Sequence, residues 1–115
     1  ACTKESVNNN NTTTVIRYQF TATLAGNYSF EGDADTVHFS ETVNTASWSK
    51  TVTVQNNSAV QNATVTVFPP VDWLGTTNET DVTLKIFIDD VEKASGSAHF
   101  IAIDRPAGLT VSTTY

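Results

Sequence analysis

Asp81-Val82-Thr83-Leu84-Lys85-Ile86-Phe87-Ile88 indicates the fold class, because aliphatic residues stand at every second position from Val82 to Ile88. Strict alternation is typical of a β-strand with one buried face. The residues predicted to share that face are Val82, Leu84, Ile86 and Ile88. The pair Asp89-Asp90 follows and predicts a turn into a second strand over residues 91–103.

The segment Val15–Leu24 shows the same period, which predicts a partner for the first strand. One face carries Ile16, Tyr18, Phe20, Ala22 and Leu24. Two apolar strand faces must be buried against each other or against a shared neighbour. We therefore expect Phe20, Leu84 and Ile86 to lie at the centre of the core. Their neighbours Thr21, Thr83 and Lys85 are expected to face solvent.

Shorter alternating segments extend this pattern along the chain, separated by turn-forming residues. The further predicted strands are Tyr28–Phe30, Thr36–Val43, Ser49–Val54, Asn62–Phe68 and Leu109–Thr113. The predicted turns are Ala25–Asn27, Glu31–Asp35 and Gln55–Ser58, and Pro69-Pro70 is expected to end a strand. Short, evenly spaced strands predict an all-β fold, an immunoglobulin-like β-sandwich of seven to eight mostly antiparallel strands over residues 14–115.

Length and charge limit the functions that the chain can have. Its 115 residues, 39% hydrophobic, suit one domain with its own core, which we expect to be a monomer. The formal net charge is −6 and the six Lys and Arg residues are scattered. Binding to phosphate backbones needs clustered cations, so nucleic acid is not expected as a partner. An anionic membrane surface reached by charge alone is not expected either.

The single cysteine, Cys2, stands in an unusual context at the start of the chain. A small residue followed by Cys resembles the end of a bacterial lipoprotein signal, in which the cysteine becomes acylated. Residues 8–14, Asn-Asn-Asn-Asn-Thr-Thr-Thr, have no apolar side chains to bury. This order predicts a flexible tether over residues 1–13 with a lipidated Cys2. The expected location is the cell envelope, as an outer-membrane lipoprotein facing the periplasm or the cell surface; the alternative is a free thiol.

Residues that could carry chemistry are few. His38 and His99 each precede a phenylalanine in a predicted strand, which favours histidines with satisfied hydrogen bonds over catalytic or metal-binding ones. Neither a cofactor nor a catalytic residue is predicted. The acidic segment containing Asp33 and Asp35 could offer oxygen ligands to calcium, but its spacing matches no complete calcium-loop signature. Solvated turn carboxylates are the alternative.

The two tryptophans support different predictions. Trp48 begins a strand and is expected in the core. Trp73 lies in a loop beside Asp72, where an aromatic ring could form a ligand platform. The alternative is that Trp73 plugs one end of the sandwich.

Three stretches resemble a family of small exported bacterial β-sandwich proteins. They are Val15–Phe20, Val43–Thr53 with Trp48 at its centre, and Leu84–Val91. This family includes accessory subunits of mycobacterial membrane-protein transporters and lipoproteins of Bacteroidetes-type bacteria. Asp90 stands where the family hairpin usually has glycine, and the chain lacks the cysteines that the transporter-type members carry within the sandwich. The resemblance implies an exported, anchored sandwich without assigned chemistry.

Together these features predict a non-catalytic, lipid-anchored binding or accessory module that engages another protein. The alternative is a surface carbohydrate-binding module that uses Trp73.

Overall fold

A computed structural model describes residues 13–35, 37–56, 61–73, 76–101 and 108–115. The described residues form six strands, β1 (Thr13–Ala34), β2 (Val37–Gln55), β3 (Asn62–Phe68), β4 (Glu79–Ile88), β5 (Val91–Ile101) and β6 (Leu109–Thr114). A short 3₁₀ helix covers Val71–Trp73. The all-β prediction is confirmed, and every strand pair is antiparallel. No helix within these ranges is long and apolar enough to span a membrane.

The long hairpin of β1 and β2 organises the sheet, whose strand order is β5-β4-β1-β3-β6 with β2 on the other side of β1. The first half of β1 lies between β4 and the second half of β2. The second half of β1 lies between β3 and the first half of β2. We call these the first half-sheet, which ends at β5, and the second half-sheet, which ends at β6.

A bulge in β1 separates the two half-sheets. Thr21 pairs with Ser47 and Gly26 pairs with Thr45, so residues 22–25 lie opposite Ala46 alone. Extra residues on one strand bend it and increase its twist. The bend brings the halves of β1 face to face, because the Phe20 ring centroid lies 4.8 Å from that of Tyr28 and 4.9 Å from that of Phe30. The core therefore sits between the half-sheets.

The predicted turn at Ala25–Asn27 is wrong, since β1 continues through these residues. Gly26 is buried there, and a Cβ atom on it would lie 2.7 Å from the Trp73 ring and 2.8 Å from Pro70. Its role is to make room for these side chains rather than to reverse the chain. Tyr28–Phe30 is consequently part of β1 and not a separate return strand.

The two strands predicted at Thr36–Val43 and Ser49–Val54 are likewise one strand, β2. Paired residue numbers in β1 and β2 sum to 68 before the bulge (13 + 55) and 71 after it (34 + 37). Because this sum changes by an odd number, the inward-facing residues of β2 switch from odd-numbered ones such as Phe39 to even-numbered ones such as Trp48. The alternation breaks at this switch, as it does at the bulge in β1, so each of these two strands was predicted as two.

The predicted turn at Glu31–Asp35 starts too early. The chain reverses only at Asp35, whose φ is 56°, and Ala34 already pairs with Val37. Gly32 lies inside β1, where a Cβ atom would be 2.3 Å from the Phe39 ring. This glycine makes room for a core aromatic side chain and does not form the turn.

The hairpin of β4 and β5 follows the sequence prediction. Asp89 and Asp90 form its two-residue turn with φ of 49° and 67°. Aspartate tolerates this left-handed conformation better than most residues. Asp89 also continues the pairing of β1, since its N–H donates to the Val15 carbonyl oxygen (2.8 Å) and its Oδ1 accepts from the Val15 N–H (2.9 Å). β3 ends at Phe68, directly before Pro69-Pro70, as predicted.

The predicted central core residues are confirmed, because Phe20, Leu84 and Ile86 have no exposed surface. Trp48 is also buried and stacks on Phe30 with ring centroids 4.0 Å apart. Leu24 departs from the predicted pattern and is 39% exposed, since it lies in the bulge, where alternation no longer directs side chains inward.

Thr80 supplies the hydrogen bonds that the bulge would otherwise lack. Its side chain is only 2% exposed, and its Oγ1 accepts from the N–H groups of Thr23 and Leu24, both at 3.1 Å. The Thr23 hydroxyl in turn accepts from the Asp81 N–H at 3.0 Å. Bulged residues lose their partners in the ladder, and unpaired backbone groups away from water are costly. Thr80 thus ties the bulge of β1 to the start of β4.

We expect Thr80→Val to destabilise the protein by about 1 to 3 kcal/mol, because a side chain of the same shape would leave the two bulge N–H groups without their acceptor. Chemical denaturation measures this change in the free energy of unfolding. Thr83→Val is the matched control on the same strand, since the Thr83 hydroxyl bonds to the Ser97 side chain on the outer face rather than to backbone N–H groups of the bulge. Its effect should stay within about 0.5 kcal/mol. Equal losses in both variants would contradict the role given to Thr80.

Candidate functional site

Trp73 is buried at 6% exposure, at the end of the core beside the bulge. Its ring meets that of Tyr28 edge-on at 5.8 Å and covers Gly26. A sugar-stacking platform needs an exposed ring face, whereas this ring packs inward. The geometry therefore favours the end plug over the ligand platform among the two predictions for Trp73.

Asp72 remains exposed beside the plug and belongs to a chain of polar side chains. Its Oδ2 accepts from the Asn27 side-chain amide at 3.1 Å. The Asn27 side-chain oxygen accepts in turn from the Asn44 amide at 3.0 Å. These bonds tie the 3₁₀ helix to the outer face of the second half-sheet. Asp72 thus has a structural partner and does not share a ligand-facing surface with the Trp73 ring.

The two aspartates predicted as calcium ligands, Asp33 and Asp35, lie at the C-terminal end of β1, away from Trp73. Asp33 Oδ1 is 2.5 Å from His38 Nδ1, across the β1–β2 pair, so one carboxylate oxygen faces a histidine. Asp35 lies at the hairpin turn. Within the described ranges, no group of three or more His, Cys, Asp and Glu side chains is arranged to hold a metal ion. Calcium binding at these residues stays a prediction.

His99 occupies a position that the sequence did not reveal, on the outer face of the first half-sheet. Its Nδ1 lies 2.6 Å from Asp81 Oδ1 and its Nε2 lies 2.8 Å from Glu79 Oε1. Hydrogen bonds to Asp81, and then to Glu79, raise the pKa of the imidazole above its ordinary value. Both ring nitrogens are engaged by carboxylates, so neither is placed to activate a nucleophile.

A second bulge brings these residues together. Paired numbers in β4 and β5 sum to 179 at the turn (88 + 91) and to 180 beyond Ile86 (81 + 99). Without this shift, His99 would lie opposite the buried Thr80 rather than Asp81. The hairpin turn can be recognised in the sequence, but the extra residue in β5 has no comparable signal.

Glu41 is a third ionisable group with several partners, and it joins the two halves of β2. Its carboxylate accepts from Trp48 Nε1 at 2.9 Å and from Lys50 Nζ at 3.1 Å. These hydrogen bonds, that from Trp48 first, lower the pKa of the Glu41 carboxyl. These hydrogen bonds have a structural role, because both partners belong to β2, the strand that carries Glu41.

The outer face of the second half-sheet carries rows of hydroxyl side chains. Thr66 bonds to Thr110 at 2.8 Å and Thr64 to Ser112 at 3.1 Å, across the β3–β6 pair. Ser29 bonds to Thr42 at 2.9 Å, across the β1–β2 pair. We call this surface the hydroxyl face; it consists of Ser29, Glu31, Asp33, His38, Ser40, Thr42, Thr64, Thr66, Phe68, Thr110 and Ser112.

Phe68 is the aromatic member of the hydroxyl face, and the sequence analysis did not single it out. It pairs with Ser29 and is 38% exposed. A Cβ atom on Gly108 would lie 3.0 and 3.1 Å from two neighbouring ring carbons, so the ring lies across the backbone of this glycine. The alternation along β3 could have identified Phe68 as an outward-facing residue, because Ala63, Val65 and Val67 face inward.

The outer edge of β2 is a further surface feature. Among the described residues, β2 forms strand pairs with β1 only, along both of its halves. It spans 19 residues without proline or glycine. The predicted lipidation residue, Cys2, lies outside the described residues, as does nearly all of the predicted tether.

No protein-family model, curated protein or solved structure matches this chain.

The raised pKa of His99 predicts a pH-dependent contribution to stability. Because the pKa of His99 in the folded state lies above the unfolded value of about 6.5, the His99 imidazolium stabilises the folded protein. This stabilisation is complete below the unfolded pKa and is lost as the pH rises through the folded pKa. The difference in unfolding free energy between the wild type and His99→Asn should therefore be largest below about pH 6.5 and shrink as the pH rises above it. Denaturant titrations on both sides of this pH measure it.

Titration of the His99 ring by NMR gives an independent check. Asp81→Asn should lower the His99 pKa more than Glu79→Gln does, because Asp81 makes the dominant contribution. An unchanged His99 pKa in both variants would show that the carboxylates do not stabilise the imidazolium in solution.

Proposed function

We propose that this chain is a non-catalytic binding module of the cell envelope that engages another protein and is held at a membrane through Cys2. The observation that carries the proposal is the outer edge of β2, which pairs with no further strand among the described residues and so offers backbone N–H and C=O groups to a partner strand. Proteins recognise extended peptide segments by adding them to such an edge. Main-chain hydrogen bonds then supply affinity, and alternate side chains supply specificity.

The composition of β2 supports this use of its edge. Natural proteins protect free edges with proline, bulges and charged residues, especially lysine. Lys50 is the one lysine of β2, and it is directed onto Glu41 and over the Phe39 ring, 5.6 Å from its centroid. Thr51 and Thr53 are exposed on the outer side of the same segment. An incoming strand would therefore meet small, uncharged side chains there.

The proposed attachment and compartment rest on the sequence around Cys2. A lipidated cysteine followed by polar residues would hold the folded body, whose first described strand begins at Thr13, at a distance from the membrane. Several acyl chains hold a protein far more firmly than one, since each buried methylene contributes about 0.8 kcal/mol. We place the module at the outer membrane, in keeping with its resemblance to small exported lipoproteins.

We also propose that the fold is an immunoglobulin-like sandwich. The two half-sheets pack aromatic side chains against each other, as in the pairs Phe20–Phe30 and Tyr18–Phe39, whose centroids are 4.9 and 5.2 Å apart. Sandwiches bury their cores between two such inner faces. The long strands that cross from one half-sheet to the other would be this chain's variation on that plan.

Membrane attachment is expected to depend on Cys2. The full-length protein, expressed with its export signal, should fractionate with membranes and incorporate labelled fatty acid. Cys2→Ala should move it to the soluble exported fraction and abolish labelling, whereas Thr3→Ala, a neighbouring control, should change neither. Membrane retention of the Cys2→Ala protein would refute the anchor but would leave the edge proposal intact.

The edge proposal predicts where a partner binds. A photo-crosslinking amino acid at Thr53, introduced in intact cells, identifies the partner, which is then purified. Binding of that partner should slow amide hydrogen exchange in β2. The double substitution Thr51→Lys and Thr53→Lys should weaken binding at least tenfold, about 1.4 kcal/mol, because it places two cations on the docking edge.

The matched control places the same two charges on β5, as Ser95→Lys and Ser97→Lys, and should leave affinity within about twofold. Both serines are exposed and have the same two-residue spacing. Exchange protection confined to other strands, or equal affinity losses in the two double variants, would overturn the proposal.

A further inference from the structure

Phe68 and Glu31 occupy neighbouring rows on the hydroxyl face. Phe68 pairs with Ser29, and Glu31, two residues further along β1, pairs with Thr66. Thr66 pairs in turn with Thr110. Neighbouring strands lie about 4.8 Å apart, and residues two apart on one strand lie about 6.7 Å apart. A group of about the size of one sugar ring on Phe68 would therefore reach the row that contains Glu31, Thr66 and Thr110.

The Phe68 ring is positioned to stack with a ligand. Gly108 lies beneath it and replaces the side chain that would otherwise displace the ring. The aromatic face carries partial negative charge, which attracts the weakly positive C–H groups of an apolar sugar face. Because a phenylalanine side chain has only two rotatable bonds, little side-chain entropy is lost when a ligand stacks on the ring.

In the row formed by Ser40, Glu31, Thr66 and Thr110, Glu31 carries the one carboxylate. It is exposed, and it forms no hydrogen bond or ion pair with any described residue, whereas the neighbouring hydroxyls of Thr66 and Thr110 bond to each other. An ionised carboxylate only accepts hydrogen bonds, and such charge-assisted bonds are stronger than neutral ones. It therefore suits a ligand that presents hydroxyl donors beside an apolar surface.

The charge of the surroundings narrows the ligand class. Glu31 and Asp33 are both carboxylates of this face, and the chain carries a net charge of −6. Anionic ligands would be repelled by these carboxylates. A neutral ligand with several hydroxyl groups and an apolar ring face meets every condition, and these are the features of a neutral hexose.

We infer that the hydroxyl face binds a neutral oligosaccharide, with one sugar ring stacked on Phe68 and its hydroxyl groups donating to Glu31. Phe68 and Glu31 lie on β3 and β1, away from Trp73 and from Thr51 and Thr53 at the β2 edge, so this site does not depend on the proposed protein partner. A flat face buries less of a ligand than a cleft does, so we expect weak binding, in the millimolar to micromolar range.

The test begins with a glycan array of neutral and acidic oligosaccharides, probed with the full chain displayed in multiple copies. Neutral glycans should be bound and acidic ones should not. NMR titration of the full chain with the best neutral glycan should perturb amides near Phe68, Glu31 and Thr110. The absence of any bound neutral glycan, or perturbation confined to the first half-sheet, would overturn the inference.

Two substitutions test the individual roles. Phe68→Ala should weaken glycan binding at least tenfold, and Phe68→Tyr, which keeps the ring, should restore it to within about threefold of the wild type. Glu31→Gln should weaken binding about threefold to tenfold. The control is Phe87→Ala, which removes an aromatic ring from the other outer face, where Arg17 covers it at 4.3 Å from the ring centroid.

Phe87→Ala should leave glycan affinity unchanged. Glycan affinity unchanged in Phe68→Ala, or reduced equally in Phe87→Ala, would contradict the stacking role. Phe68 is partly exposed at the end of β3, so its truncation should leave the fold intact, and thermal unfolding of each variant verifies this. The amide perturbations of the wild type give the same answer without relying on any variant.

Discussion

The hydrogen bonds between Thr80 and the bulge of β1 are the constraint on which the rest of this structure depends. The bulge lets one strand take part in both half-sheets, and both inner faces therefore carry side chains from β1. Phe20 precedes it and Tyr28 follows it, and their rings meet across the core. A bulge exposes backbone N–H groups that must be paired, and the Thr80 hydroxyl, inside the protein, accepts from two of them. The hydrogen bonds of Thr80 thus stabilise both the bulge and the packing of the two half-sheets that depends on it.

The same bulge determines which side chains reach the surfaces. On β2 it switches the inward-facing residues from odd-numbered to even-numbered, so that Glu41 from one half and Trp48 from the other approach closely enough to form a hydrogen bond. On β1 it keeps even-numbered residues inward on both sides, so Ser29, Glu31 and Asp33 all face outward. The hydroxyl face and the outer edge of β2 are therefore consequences of one local irregularity.

The sequence predicted the regular parts of the fold well and the irregular parts poorly. The β4–β5 hairpin, the end of β3 at Pro69-Pro70 and the buried positions of Leu84 and Ile86 follow from alternation and turn residues. β1 and β2 were each predicted as two segments, because the bulge in β1 and the change of parity within β2 look in sequence like the end of one strand and the start of another. Gly26 and Gly32 were interpreted as turn residues, whereas both make room for aromatic rings.

By itself, the sequence determined the strand class, the central core residues and the hairpin at Asp89-Asp90, since these depend on periodicity and local backbone preference. Tertiary structure decided that Trp73 turns inward, that His99 lies between Asp81 and Glu79, and that Phe68 rests on Gly108 beside the Glu31 row. Each of these depends on register between segments far apart in the chain. Register changes by an odd number of residues at each of these bulges, and the bulge in β1 is stabilised by a distant partner, Thr80, which no local pattern reveals.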